Sequence, residues 1–143
     1  MNNPLRPLIK LIDRWAAQRV VRVALFGHGL ALAEWESLMT TPYLRSKPRV
    51  QLVAHPSEAE VLAIHGPFNA LNWPALEAWV ASGREDKTVI AVGHELQLSP
   101  ECHVLGPENK LSSFRISTHI TGHPPTPQEI QQALVCLLKV HHV

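Results

Sequence analysis

Apolar runs alternate with amphipathic stretches along the chain, and this pattern predicts an α/β order of elements. Four short runs rich in β-branched residues predict buried strands at 21–26, 49–54, 60–66 and 88–93. Apolar residues at helical spacing predict helices at 5–18, 31–39, around 70–82 and from Thr126 onward. Strands that are apolar throughout and alternate with helices are typical of a parallel sheet covered on both faces. We therefore expect a three-layer α/β domain with a central parallel sheet of four or five strands in flavodoxin-like order.

The closing helix is the most clearly marked element. Thr126 stands at its N-cap position, Pro127 at its first helical position, and Glu129 completes a capping box. Its buried side is predicted to consist of five apolar residues, Ile130, Ala133, Leu134, Leu137 and Leu138.

The remaining segments carry weaker signals. Pro74 is expected in the first turn of the helix around 70–82, because proline lacks the backbone N–H that a helix interior needs. Residues 95–115 show no clear periodicity and predict a long loop, and residues 114–120 predict a last short strand. With no linker or repeat in the sequence, residues 1–143 are expected to form one domain.

Composition and charge exclude several classes of protein. The chain has 143 residues, of which 45% are apolar, and its formal net charge of +1 gives no reason to expect nucleic-acid binding. No apolar run approaches the roughly 20 residues of a membrane span, and the first residues do not resemble a signal peptide, so we expect a cytoplasmic protein. The two cysteines, Cys102 and Cys136, cannot form a disulfide framework or an all-cysteine metal site.

Glycine and histidine follow several predicted strands. In parallel sheets the carboxyl ends of the strands meet at one edge, where ligands bind. Four such segments are expected there: Gly27-His28-Gly29, His65-Gly66-Pro67, Gly93-His94-Glu95 and Gly122-His123-Pro124. Their imidazoles could ligate a metal, but no ligand pair is close in sequence, so hydrogen-bonded histidines are the favoured interpretation.

The common nucleotide and nucleophile motifs are missing. The first glycine turn has Gly27 and Gly29 but lacks the third glycine of a dinucleotide fingerprint. A phosphate-binding P-loop and the G-x-S-x-G elbow of common hydrolases do not occur either.

The order of motifs nevertheless resembles one family along nearly the whole chain. Residues 122–127, GHPPTP, resemble a G-C-P-P-T signature. It belongs to the family of the 20 kDa iron–sulfur subunit of NADH:quinone oxidoreductase (complex I) and the small subunits of energy-converting nickel–iron hydrogenases. Residues 22–36 are similar to the family's first strand and cluster turn, with Glu34 at the position of its usual glutamate. Residues 48–82 and 102–130 resemble the stretches that follow in the same order.

The departures from that family concern its cofactor. The family binds a four-iron cluster through cysteine thiolates. Its cysteine positions fall here on His28 and Ala31 in the hydrogenase spacing, or on Leu30 and Ala31 in the complex I spacing. The remaining two fall on Glu95 and His123. The resemblance therefore implies a non-catalytic subunit without a four-iron cluster, for which no cofactor is expected and which docks on a large-subunit homologue.

Two alternatives stay open at this point. His28, Glu95 and His123, with His94 nearby, would converge in the family fold and could hold zinc or another divalent ion in an electron-transfer subunit. The other alternative is a free-standing regulatory α/β protein.

We also expect residues 1–18 to form part of an interface, with a partner subunit or a second copy of the chain. Any membrane association is expected to run through partners.

Overall fold

The computed structural model describes residues 20–27, 32–40, 49–93, 96–122 and 125–141, without the side chains of 38–40 and 138–141. The strands are β1 (Val20–Phe26), β2 (Arg49–Leu52), β3 (Val61–His65), β4 (Thr88–Val92), β5 (His103–Leu105), β6 (Leu111–Arg115) and β7 (Thr118–Ile120). The helices are α1 (Leu32–Thr40), α2 (Trp73–Ala81) and α3 (Pro127–His141). The helix predicted at 5–18 lies outside the described residues. None of the described helices combines the length and the apolar character that crossing a bilayer requires.

Five parallel strands form the central sheet in the order β2-β1-β3-β4-β7. This is the flavodoxin-like order, with β7 as the fifth strand of the sheet. Every residue of β3 and β4 is buried, as expected for strands covered on both faces. The predicted fold class is therefore confirmed.

Each face of the sheet has its own apolar core, and alternate residues of each strand belong to opposite faces. The helical face is the side that α1 and α3 cover, and its buried residues are Val21, Val23, Trp35, Val50, Val61, Ala63, Ile90, Val92, Ile120, Ile130, Leu134 and Leu137. The mixed face is the side that α2 and the β5–β6 hairpin cover, and its buried residues are Ala24, Ala59, Leu62, Ile64, Trp73, Leu76, Val80, Val89, Ala91, Leu96, Val104 and Ile116.

The connection from β2 to β3 crosses β1 without an α-helix. Val23 pairs with the last residue of β2, Leu52, and also with the first residue of β3, Val61. Strand β2 pairs with the first half of β1, and β3 pairs with the second half on the other side. Residues 53–60 therefore pass from one side of β1 to the other without having to return along its length. A 3₁₀ turn at Pro56–Glu58 makes this crossing on the mixed face.

The prediction of a long loop at 95–115 is wrong, because this segment contains an antiparallel hairpin. Strand β5 pairs with β6, and a further bridge joins Leu98 to Val104. The single strand predicted at 114–120 is also divided. Its first residues belong to β6 in the hairpin, and its last three form β7 at the edge of the central sheet.

The helix signals in the sequence are confirmed where the structure describes them. Pro74 lies in the first turn of α2. At the start of α3, the Glu129 N–H donates to Thr126 Oγ1 (3.2 Å), and the Thr126 N–H donates to Glu129 Oε1 (3.3 Å). This is the predicted capping box. Of the predicted buried side, Ile130, Ala133, Leu134 and Leu137 face the core, and the Leu138 side chain lies outside the described part.

Polar contacts hold the hairpin together and attach it to α2. Within the hairpin, Ser112 Oγ accepts the Val104 N–H (2.9 Å) and donates to the Phe114 carbonyl (2.7 Å). Glu77 of α2 accepts hydrogen bonds from the hydroxyl and from the backbone N–H of Ser113, the latter at 3.1 Å. The Glu77–Ser113 contact joins segments that lie 36 positions apart in the sequence.

Candidate functional site

The carboxyl ends of β1, β3, β4 and β7 lie side by side at one edge of the sheet. Hydrogen bonds continue past the ends of the strands, since the Gly66 N–H donates to the Val92 carbonyl (3.1 Å). The Gly93 N–H likewise donates to the Ile120 carbonyl (2.9 Å). The turns that the sequence places at strand ends therefore begin at neighbouring points of this carboxyl edge.

Gly27 begins the first of these turns and needs to be glycine. Its φ is +65°, and a Cβ at this position would lie 2.8 Å from the carbonyl oxygen of His65. A side chain would thus meet both an unfavourable backbone conformation and a rigid backbone atom. The chain consequently leaves β1 in direct contact with the end of β3.

His65 joins the two sides of the same turn and is only 5% exposed. Its Nδ1 lies 3.0 Å from the Phe26 carbonyl at the end of β1, and its Nε2 lies 2.9 Å from Trp35 Nε1 in α1. An indole N–H can only donate, so Nε2 accepts and Nδ1 carries the proton that it donates to Phe26. One imidazole from β3 thereby holds the end of β1 and the start of α1 at a fixed separation.

His119 makes a similar cross-strand contact at the next turn. Its Nε2 lies 2.7 Å from the Gly93 carbonyl, which follows β4. The sequence predicts a hydrogen-bonded His65 at this edge but not its partners, and it does not single out His119. For His65 the signal is a histidine at a strand end beside a glycine; His119 lies inside β7 and has no such local signal.

Glu34 lies in the first turn of α1, the helix that follows β1 in the sequence. Its Oε2 is buried and has no hydrogen-bond partner within the part of the chain that the structure describes. A buried carboxylate oxygen without a donor is costly and can accept either a hydrogen bond or a cation. Glu34 therefore offers a buried acceptor in the first turn of the helix that follows β1.

The candidate site residues lie outside the described part of the chain. They are His28, Leu30, Ala31, His94, Glu95 and His123. Residues next to them, Gly27, Gly93 and Gly122, follow β1, β4 and β7 at the carboxyl edge. The proximity of His28, Glu95 and His123 remains a prediction. Within the described ranges, no three histidine, cysteine, aspartate or glutamate residues form a group able to hold a metal.

The cysteines do not supply the donor set of a family-type iron–sulfur cluster. Cys102 is exposed in the turn before β5 on the mixed face, and Cys136 is exposed on α3, which covers the helical face. Four thiolates are the usual ligands of such a cluster, and these two cysteines belong to opposite sides of the sheet. The residues of this chain therefore do not fit a four-cysteine cluster at the carboxyl edge.

Comparisons with known proteins identify solved structures of similar fold. No family model and no curated protein matches the sequence. Among solved structures, 46 chains match. One belongs to the membrane-bound sulfane sulfur reductase, an archaeal respiratory membrane complex. It has a TM-score of 0.60 and 17% identity, over 91% of this chain and 74% of that chain. The chain thus shares the fold of a component of a respiratory membrane complex.

Proposed function

We propose that this chain is a non-catalytic subunit, without an iron–sulfur cluster, of a redox complex related to complex I and the energy-converting hydrogenases. In this proposal it docks on a large-subunit homologue and associates with the cytoplasmic side of a membrane through its partners. The observation that carries the proposal is the fold shared with a respiratory-complex chain over 91% of this sequence. The collinear resemblance at 22–36, 48–82 and 102–130 agrees with it.

The donor chemistry supports a structural rather than an electron-carrying role. Ala31, a cysteine position in either spacing, has no atom that can ligate iron, and Leu30, its companion in the complex I spacing, has none either. His28, Glu95 and His123 are not thiolates. Electron transfer through a family-type cluster would need these ligands. A chain that keeps the fold and lacks the ligands is suited to contacts with neighbouring subunits.

Hydrogen bonds at the carboxyl edge can stabilise its turns without a cluster. In the family, a cluster bound by thiolates from several turns would cross-link those turns. Here His65 links β1 to α1, and His119 links β7 to the residue after β4. Such hydrogen bonds between buried or half-buried groups each contribute about 1 kcal/mol to stability. They can hold the strand ends in place for docking.

The test is capture of the tagged chain from its native source, followed by mass spectrometry and metal analysis. We expect the captured material to contain a large-subunit homologue of complex I or hydrogenase type, with substoichiometric iron and acid-labile sulfide in the purified chain. Stoichiometric iron and sulfide would contradict the proposal. Stoichiometric zinc that is lost in both His28→Ala and His123→Ala variants would instead favour the metal-binding subunit. A chain that captures no such homologue would favour the free-standing protein.

A further inference from the structure

We infer that the uncharged, exposed side chains of residues 67–72 and α2 contact the large-subunit homologue, with Leu71 as the central apolar contact. This inference rests on the proposed function and adds the location of the docking surface. We call this region the neutral surface. Its exposed members are Leu71, Pro74, Ala75, Ala78 and Ala81.

The neutral surface is unusual in its charge. Residues 67–76 contain no aspartate, glutamate, lysine or arginine, although the chain has 13 basic and 12 acidic residues. The charged residue of α2 is Glu77, and its carboxylate binds Ser113 of the hairpin. Charged residues are depleted in the centres of protein interfaces, because removing a charge from water is costly. This surface can be covered by a partner without that cost.

Leu71 is the most exposed large apolar side chain in the described part of the chain. It is 92% exposed, compared with 52% for Leu111 and 44% for Val20. Scattered apolar side chains are common on surfaces, so exposure alone decides nothing. What distinguishes Leu71 is the combination of near-complete exposure with a tightly bonded backbone and uncharged neighbours.

Reciprocal asparagine contacts order the backbone around Leu71. Asn69 Oδ1 accepts the N–H groups of Leu71 (2.9 Å) and Asn72 (3.0 Å), and the Asn69 N–H donates to Asn72 Oδ1 (2.7 Å). A loop that is already ordered loses less conformational entropy when a partner binds. Leu71 is therefore presented in a conformation that is fixed before binding.

Aromatic packing joins this loop to the body of the domain. The ring of Phe68 lies 6.4 Å from that of Phe26 at the end of β1 and 6.2 Å from that of Trp73 in α2. The Trp73 N–H also donates to the Asn69 carbonyl (3.0 Å), so helical winding already begins at Asn69. Leu71 consequently precedes Ala75 by about one helical turn and continues the exposed side of α2.

The size of the neutral surface favours a large partner over a second copy of the chain. Helix α2 has nine residues and is about 14 Å long. Pairing of two such helices across a twofold axis would cover much less than the roughly 800 Å² per partner of a stable interface. A larger subunit can extend its contact from this surface onto the adjoining carboxyl edge. An anionic membrane is disfavoured as the occupant, because it would attract lysine and arginine, which this surface lacks.

The test uses two pairs of variants in the full-length tagged chain, captured from the native source. Leu71→Asp and Ala78→Arg place a charge on the neutral surface. Leu111→Asp on the hairpin and Gln132→Arg on the exposed side of α3 are the matched controls. Thermal unfolding of all four variants is measured first, and each should unfold close to the wild-type midpoint because the altered side chains are exposed.

We expect the amount of large-subunit homologue per captured chain to fall about tenfold or more in Leu71→Asp and Ala78→Arg. The two controls should stay within about twofold of wild type. Capture that is unchanged in all four variants would overturn the inference and leave the proposed function intact. If Leu71→Asp converts a wild-type dimer to a monomer without changing capture, a second copy covers the surface and the inference is wrong. If the wild-type chain captures no large-subunit homologue, the proposed function fails, and the inference fails with it.

Discussion

The two faces of the central sheet are covered in different ways. On the helical face, α1 and α3 pack apolar side chains such as Trp35 and Ile130 onto the strands. On the mixed face, α2 and the β5–β6 hairpin share the covering, and single contacts such as Glu77 to Ser113 join them. The two apolar cores are of similar extent, but the helical face is covered by helices alone. The covering of the mixed face combines a helix with a hairpin, so it also depends on contacts between these two elements.

Among substitutions that test this difference, Trp35→Ala on the helical face is expected to lower the free energy of unfolding most. Trp35 is fully buried and donates to His65, so truncation leaves a cavity and removes that hydrogen bond. We expect a loss of about 3–5 kcal/mol in the free energy of unfolding, measured by urea titration with circular dichroism. Trp79→Ala on the mixed face should cost about half as much, because Trp79 is only half-buried against Phe26. Equal losses in the two variants would show that the faces do not differ in this respect.

An intermediate effect is expected from Gly106→Ala, which tests the contact of the hairpin with α2. The φ of Gly106 is −94°, so alanine fits the backbone, but its Cβ would lie 2.7 Å from the ring of Trp73. We expect a loss of about 1–3 kcal/mol from this overpacking. Trp73→Phe removes part of the opposing ring, so Gly106→Ala should cost less in that background. Additive effects in the double-mutant cycle, within about 0.5 kcal/mol, would contradict the proposed clash.

The smallest effect is expected from Glu77→Ala, which removes the carboxylate between α2 and β6. The free energy of unfolding should fall by about 1 kcal/mol or less, because the contact is exposed. The amide hydrogen of Ser113 should exchange faster with solvent, since it donates to Glu77. Glu85→Ala, at an exposed position, is the matched control and should leave this exchange rate unchanged. An unchanged rate in Glu77→Ala would show that the carboxylate does not protect the amide.

Local patterns in the sequence predict most of the central sheet and the three helices that the structure describes. Strands β3 and β4 are continuous apolar runs, and Thr126 with Glu129 marks the start of α3. The hairpin was missed because β5 has only three residues and its pairing with β6 depends on tertiary contacts. For the same reason, no local signal divides residues 114–120 between two sheets.

The candidate site is predictable only in outline. The topology brings the ends of β1, β3, β4 and β7 to one edge, as the strand–glycine pattern indicates. The role of His65 depends on Trp35, thirty positions earlier in the chain, and on the backbone carbonyl of Phe26. Such a pairing has no local sequence signal. The convergence of His28, Glu95 and His123 remains a prediction that lies outside the described residues.

The β5–β6 hairpin affects the order in which the strands associate during folding. Leu105 pairs with Leu111 across a short turn, whereas Leu25 must find Ala63 and Ala91 must find His119. Hairpins form in about 1–10 μs, but contacts distant in sequence carry a larger entropic cost and slow the overall rate. We expect β5 and β6 to pair transiently before the parallel strands associate. The edge strand β7, which follows directly after β6, would then join the sheet with its neighbouring segment already partly ordered.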